Sequence, residues 1–441
     1  MMANLNIDLP YGSGYQSITI PKEQLVGVIK PQPVEALVDL RGAVKNAIES
    51  SFGRNLFQSL SPSDTVAIVI DDKTRPVPNR EILEVLIEEL LVSKVMPKNI
   101  KIVVATGVHP PCTREDIDRM LGLGIANRFS IMNHSAWDEK NLIELGPIGG
   151  KKTFQLQINK HVAEANIKIL IGMIGPHHAA GYSGGRKSIL PGVASFENIR
   201  NQHNIHPDRI MLGKLNDNPF HSLAMEAAEK VGVNFILNVV LNSKGEVAKV
   251  VAGDLVDAWS EGVAFCNKIS KAILPDYSDI VITSPGGYPR DINLWQSQKA
   301  ISTAELVVRP GGIIILVAEC REGIGSEDLH QWLKTASRPQ DIIERFNQIG
   351  FTGGSRKAYY FARALQKADI ILVSDKLSKQ DLKGMLLLGA NSIKEALKIA
   401  KDRIGGSFSI SILPYAPGLI LEIKNTHTVS KRESHSQGHR D

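Results

Sequence analysis

The sequence predicts an α/β protein of two domains, each with a mostly parallel sheet flanked by helices, and an active site in the cleft between them. Three observations carry that prediction. The chain has 441 residues, more than one core of ordinary size organises. Short β-branched runs alternate with stretches of helical periodicity, the pattern of βαβ units. The alternation then restarts after "ILPDYSD".

In chain order, "TVAIVIDD" (65–72), "NIKIVVATGVH" (99–109), "FSIMNHS" (129–135), "IKILIGMIGP" (167–176) and "NFILNVVLN" (234–242) read as buried strands. Between them "NREILEVLIEELLVSKV" spaces its apolar residues for one helix face. "DNPFHSLAMEAAEKVG" opens on Asp-Asn-Pro and closes on Gly, which start and stop a helix. After the restart, "DIVITSPGG" (279–287), "GGIIILVAEC" (311–320), "ADIILVSDK" (368–376) and "FSISILPYAPG" (408–418) read as strands again. "INLWQSQKAISTAELVV" and "SRPQDIIERFNQIG" supply helices. The division expected is an N-terminal domain over 1–272, a C-terminal domain over 273–420 and a polar, disordered tail over 421–441. His435 and His439 fall in that tail and read as solvated.

Composition excludes several function classes. Hydrophobic residues are 43%, charged residues 22% and the formal net charge is +5, all ordinary for a globular protein. The basic residues are scattered and aromatics are only 5%, which argues against a nucleic-acid partner. Cys112, Cys266 and Cys320 form no CxxC pair and no disulfide framework, so a reduced, cytoplasmic setting is expected. "MMANLNIDLPYGSG" has no secretory-signal pattern, and the longest apolar runs are too short to span a bilayer, so no membrane partner is expected.

In open α/β sheets ligands collect beyond the carboxyl ends of strands. Three of the predicted strand ends carry reactive residues. "DDKTRPVP" places Asp72, Thr74 and Arg75 there, "ATGVHPP" places Thr106, Gly107 and His109, and "GPHHAAGYSGGRKS" follows a third strand. In that last loop Gly181, Gly184 and Gly185 would let backbone N–H groups approach an anion, with Ser183 beside them and Arg186 and Lys187 adding charge. The spacing is neither GxxxxGK[ST] nor GxGxxG, so a phosphate cradle, a catalytic lysine and a plain flexible turn all stay open. His109 and His177, at neighbouring strand tips, are candidates for paired acid/base chemistry, since imidazole titrates near neutrality. Neighbouring side chains on extended backbone point oppositely, so only one of His177 and His178 should face the site. His203 and His206 share a helical spacing but lack the further ligands of a zinc site. In the second domain, "GGYPRDINLWQSQKAI" offers Asp291, Trp295, Gln296 and Lys299, with Trp295 and Lys299 on one helix face and Lys299 able to meet a carboxylate across the cleft.

"DDKTRP", "ATGVH", "PHHAAGYSGGRKSILPG", "ENIRNQH" and "NLWQSQKA", in this order, resemble the nickel-pincer lactate racemase family over roughly residues 5–420. The resemblance implies a 2-hydroxy-acid racemase or epimerase. Such an enzyme inverts C2 by reversible hydride transfer through a 2-oxo acid. The implied cofactor is a nickel-pincer nucleotide, a pyridinium-3-thioamide-5-thiocarboxylic acid mononucleotide carrying nickel, and other enzymes must make it. By the same resemblance Lys187 tethers the cofactor and His203 ligates nickel, while His109 and His177 are the acid/bases. Arg75, Trp295, Gln296 and Lys299 would bind substrate, and Asp72 would support the site. Ser183, Gly184, Gly185 and Arg186 are expected to cradle the mononucleotide, which places the cofactor site in the N-terminal domain. Two departures point to a substrate larger than lactate: Trp295 replaces a typical tyrosine, and "HHAAG" has alanines where a bulkier aromatic is usual. A sugar-acid C2 epimerase, or a nucleotide- or cofactor-binding protein without turnover, are the competing readings.

Overall fold

The computed structural model describes residues 4–150, 153–210 and 212–424. A hairpin of β1 (Asn4–Tyr11) and β2 (Gly14–Pro21) precedes β3 (Leu25–Val28). Then follow β4 (Val66–Asp71), β5 (Ile100–Ala105), β6 (Ser130–Asn133), the hairpin β7 (Leu142–Ile148) and β8 (Phe154–Asn159), and β9 (Ile167–Ile174). Two short strands, β10 (Pro176–His177) and β11 (Gly181–Tyr182), pair within one loop, ahead of β12 (Phe235–Leu241) and β13 (Val247–Gly253). The remainder comprises β14 (Lys271–Leu274), β15 (Ser278–Thr283), β16 (Val308–Val317), β17 (Ala368–Val373), β18 (Leu388–Ala390), β19 (Ile410–Leu413) and β20 (Ile420–Ile423).

Two six-stranded sheets result, ordered β13-β12-β9-β4-β5-β6 and β18-β17-β16-β15-β19-β3. The second is parallel throughout, and the first is parallel apart from the β12–β13 pair. Central strands such as β4 ("VAIVID") and β15 ("SDIVIT") are buried almost end to end, because helices cover both faces. The α/β class with two mostly parallel sheets is therefore the one the alternating pattern predicts.

Two segments depart from the expected division. β1 and β2 pack Ile7, Leu9, Ile18 and Ile20 on the second sheet's core, and β3 adds to its edge beside β19. Residues 4–28 thus belong physically with the C-terminal sheet rather than with 1–272. Their apolar alternation is local, but the sheet it completes lies hundreds of residues away. The expected tail also begins too early: residues 421–423 lie in β20, which pairs with β14. His435 and His439 lie outside the described residues. No helix among the described residues is long and apolar enough to cross a membrane. The three cysteines are free and buried.

Candidate active site

Each sheet has one point where the strand order reverses. In the first it lies between β4 and β9, since β5 and β6 extend one way from β4 while β9 and β12 extend the other. In the second it lies between β15 and β19. Loops leaving strands at such a point diverge and open a crevice at the strands' carboxyl ends. The loops after β4, β5 and β9 carry Asp72 and Arg75, His109, and His177 through Lys187. The loop after β15 leads into the helix Leu294–Ala304, which bears Gln296 and Lys299.

Asp72 is 4% exposed and organises the first of these loops. Its Oδ2 lies 2.7 Å from His109 Nδ1, and its Oδ1 accepts from the Thr74 amide at 3.0 Å and from the Thr74 hydroxyl. Burial would raise the Asp72 pKa, but hydrogen bonds from His109 and Thr74 outweigh it and leave the carboxyl lowered. An ionised carboxylate can only accept, so His109 keeps its proton on Nδ1 and presents a lone pair at Nε2. Thr74 Oγ1 also accepts from Arg75 Nη1 at 2.8 Å, which aims that guanidinium.

The glycine loop is braced by hydrogen bonds within the protein. Arg186 is fully buried, and its three guanidinium nitrogens are engaged inside the protein. Nη2 donates to Ala180 O at 2.8 Å, Nη1 to Gly184 O at 3.1 Å and Ser183 O at 3.3 Å, and Nε to His221 Nδ1 at 3.1 Å. The Trp259 ring covers its charge, 3.9 Å from centroid to guanidinium carbon. Gly185 N donates to Asn238 Oδ1 at 2.8 Å, and Ser183 Oγ donates to Met173 O at 2.8 Å. At Gly184 (φ +76°) a Cβ would lie 2.7 Å from both Asn238 Oδ1 and Ile174 Cγ1. Ser183 Oγ, Gly185 N and the Arg186 guanidinium, expected to meet the cofactor, thus have hydrogen-bond partners within the protein. Their effect is to hold Lys187. Burial, then the charges of Arg75 and Arg186, push the Lys187 amine well below its ordinary pKa.

His177 Nδ1 accepts from the backbone amides of Ala179 and Ala180, both at 3.1 Å. Its neutral ring therefore carries the proton on Nε2, the opposite tautomer to His109. Burial and then the charges of Lys187, His178, Arg75 and Lys299 lower its pKa well below the ordinary value, keeping the ring neutral. His178 instead lines a cavity of about 340 Å³ with Tyr360 and Arg363. Ala179 and Ala180 are buried against Ile210 and Phe220, so these alanines add no room for a substrate. His203 donates from Nδ1 to Ile199 O at 2.8 Å, leaving Nε2 as a free lone pair. Burial, followed by Arg356, lowers its pKa to about 3.

On the second sheet's side, Lys299 Nζ donates to Gln296 Oε1 at 2.8 Å, and Lys299 is lowered to about 8 by burial and then by Arg75 and Arg290. Arg75 and Lys299 lie beyond strand ends of different sheets, and the charge of Arg75 reaches Lys299 across the crevice between them. Asp291 does not face it. Its Oδ2 accepts from the amides of Gly12 and Glu319 at 2.7 and 3.1 Å, which pins the N-terminal hairpin. Residues of the helix Ser355–Lys367 latch the two sides together: Arg356 Nη1 donates to His203 O, and Tyr359 OH to Asp208 Oδ2 at 2.8 Å. His206 belongs to this latch, with Nε2 3.0 Å from Asn347 Oδ1, and not to the site.

Sequence reading missed three supports. Asn238, inside a buried strand, holds Gly185. Asp71, raised by burial against the opposing charge of Arg75, accepts from Met173 N at 3.3 Å. His134, 3% exposed, contacts Ala194 O through Nε2 at 2.9 Å, and its carbonyl accepts from Thr106 Oγ1 at 2.6 Å. The only signal for Asp71 and Asn238 is a polar residue in an apolar strand run. His134 is lowered from 6.5 to about 4 by burial. Its contribution is present above pH 6.5 and lost as pH falls toward 4, because only the unfolded chain takes up that proton in this window. That shift corresponds to about 3 kcal/mol. The melting temperature is expected to fall across this window and to fall less in His134→Gln, as measured by calorimetry.

The chain is similar to known proteins over most of its length. The family model described as the lactate racemase N-terminal domain matches residues 11–210, and that described as the lactate racemase C-terminal domain matches 273–421. A lactate racemase of Thermoanaerobacterium thermosaccharolyticum is 34% identical over 430 residues, covering 95% of this chain and 100% of that protein. A lactate racemase of Lactiplantibacillus plantarum is 31% identical over 427 residues, covering 94% of this chain and 99% of that one. The solved lactate racemase apoprotein from Thermoanaerobacterium thermosaccharolyticum superposes with a TM-score of 0.88 at 32% identity, covering 95% of this chain and all (100%) of that one. A crystal structure of a protein from Thermotoga maritima, 17% identical with a TM-score of 0.65, shares the fold over 89% of this chain.

Proposed function

The chain belongs to the lactate racemase family, and on that premise we propose that it inverts C2 of a 2-hydroxy acid, with a nickel-pincer nucleotide tethered at Lys187. The observation that carries the reading is the pair of imidazoles in opposite tautomers, one offering a lone pair and the other an N–H. Inversion of a hydroxy acid needs that complement. One ring takes the hydroxyl proton at its lone pair while the other hydrogen-bonds the oxygen through its N–H, and the imidazolium returns the proton to the oxygen once the planar intermediate has turned its other face, so both rings end the turnover neutral. A protein that only carries a nucleotide has no use for it.

The residues fit the cofactor. An amine at Lys187 held well below its ordinary pKa gives up its proton readily and can then be acylated, as a thioamide tether requires. His203 has the tautomer of a metal ligand, its second nitrogen fixed on a backbone carbonyl. Among the described residues no group of three His, Cys, Asp or Glu could hold a metal, so one imidazole suits an ion whose other ligands arrive with an organic group. When bound, that group supplies the hydride acceptor and donor.

The chain's own residues do the rest. Arg75 and Lys299 clamp the substrate carboxylate from the two sides of the recess. Gln296 orients Lys299. His109 accepts the hydroxyl proton at Nε2, and the Asp72 carboxylate stabilises the imidazolium that forms. His177 presents its Nε2–H to the substrate oxygen, held in place by the Ala179 and Ala180 amides. Trp295 forms one wall of the pocket. Lactate, the substrate named for the relatives, and larger 2-hydroxy acids, sugar acids included, share this chemistry.

The test co-expresses the chain with the cofactor-making enzymes and combines native mass spectrometry, nickel analysis and chiral chromatography of 2-hydroxy acids. A nickel-bearing adduct that is lost in Lys187→Ala and weakened in His203→Ala is expected, together with C2 inversion. No adduct, while a relative loads in parallel, overturns the reading. Lys299 adds a pH signature. In the free enzyme its ammonium is lost as pH rises through about 8, so kcat/KM should fall there. A bound carboxylate keeps the ammonium charged, so kcat should hold to higher pH. A kcat/KM that stays flat to pH 10 would remove Lys299 from the clamp.

A further inference from the structure

Lys357 stands, half-buried, on the helix Ser355–Lys367, whose residues Ala358, Tyr360, Phe361 and Ala364 are buried. Its ammonium meets no carboxylate among the described residues. Nζ donates to Gln298 Oε1 at 3.2 Å and lies 5.0 Å from the centre of the Trp295 ring. Trp295 and Gln298 flank Gln296 and Lys299 on the helix Leu294–Ala304, so the Lys357 amine sits beside the substrate clamp. Burial and the nearby charge of Lys299 push its pKa well below the ordinary value. Its charge reaches His178, whose pKa is lowered to about 3 by burial, then by Lys357 and Lys299.

A partly buried ammonium without a counter-charge carries a desolvation cost, and a methionine of similar length would pack there at less cost. The face of an aromatic ring offsets only part of that penalty. Around this recess Arg75, Lys187, Lys299 and Lys357 make no ion pair within 4.0 Å among the described residues, whereas Asp72 is committed to His109 and Thr74. The single carboxylate of lactate answers the Arg75–Lys299 clamp and leaves Lys357 without a counter-charge.

We propose that Lys357 is a specificity residue that receives a second carboxylate, on the C3 side of the substrate, so that the preferred substrates are 2-hydroxy dicarboxylic acids. This rests on the racemase reading above and narrows its substrate class. The ammonium, steadied by Gln298 and the Trp295 face, would pair with the distal carboxylate and regain full charge as it binds. A neutral hydroxy acid of equal length would leave it unpaired.

The test uses the cofactor-loaded full chain with malate and lactate as probes, reading C2 inversion by chiral chromatography and binding by calorimetry. The wild type is expected to favour malate over lactate in kcat/KM. Lys357→Met should lower the malate-to-lactate ratio at least tenfold, and Lys357→Arg should restore most of it. Binding of malate that depends on Lys357, with no inversion of either acid, would support this proposal while removing the racemase reading. Inversion of lactate with malate bound and turned over more weakly, or equal losses on both acids in Lys357→Met, would overturn the proposal and leave the racemase reading standing. Failure of Lys357→Met to load the cofactor would assign Lys357 to the nucleotide and also overturn it.

Discussion

Replacing His109 with alanine is expected to slow inversion by about 10²–10⁴-fold while the Lys187 adduct is retained in the mass spectrum. His177→Ala should fall as far. Asp72→Asn offers the sharper test, because Asp72's two oxygens have separate partners. Oδ1 accepts from Thr74, so an asparagine keeps its carbonyl there and turns its amide nitrogen toward His109. The amide can only donate. It would force His109 Nδ1 to accept and move the ring proton to Nε2, which turns the base into a second donor. The expected result is a loss in kcat close to that of His109→Ala, with little change in melting temperature. Retention of more than half the activity in Asp72→Asn would remove His109 as the base.

Arg186→Met is expected to act on stability first. The substitution strips donors from the carbonyls of Ala180, Ser183 and Gly184 inside the protein, at roughly 1–3 kcal/mol for each group left unpaired. A total of about 3 kcal/mol or more lowers the melting temperature by on the order of 10 °C. The drop should appear in protein that has never met cofactor. If Arg186 instead held the nucleotide phosphate, the unloaded variant would melt with the wild type and only cofactor loading would suffer. The two outcomes separate an internal brace from a ligand contact in one calorimetric scan.

Lys299 and His134 titrate in separate windows, so their effects do not overlap. Lys299 governs substrate capture on the alkaline side, and His134 governs the fold on the acid side.

The alternation of β-branched runs with helical periods is local, and it made the α/β class and most central strands legible along the chain. β4, β9, β15 and β16 sit within a few residues of the runs that announce them. The strand-end positions of Asp72, His109 and His177 were legible for the same reason: each follows a buried run within a few residues, and the strand-end rule needs only that order. β3 and the N-terminal hairpin were not, because their partners come from the far end of the chain and no local period records which sheet a short edge strand joins.

The direction each side chain takes was beyond the sequence as well. "GYSGGRKS" reads as a loop able to meet an anion, yet Arg186 turns inward because Trp259 and His221, from helices far along the chain, receive it. His109 and His177 look alike in one dimension. A buried carboxylate beside one and two backbone amides beside the other make them a base and a donor. Lys357 is one lysine among many until folding sets its amine against Gln298 and the Trp295 ring with no counter-charge within 4.0 Å among the described residues. Residue order along the chain decides which elements form and which groups reach the strand tips. Tautomer, burial and charge balance arise between segments distant in sequence, because hydrogen bonds and desolvation depend on proximity in space.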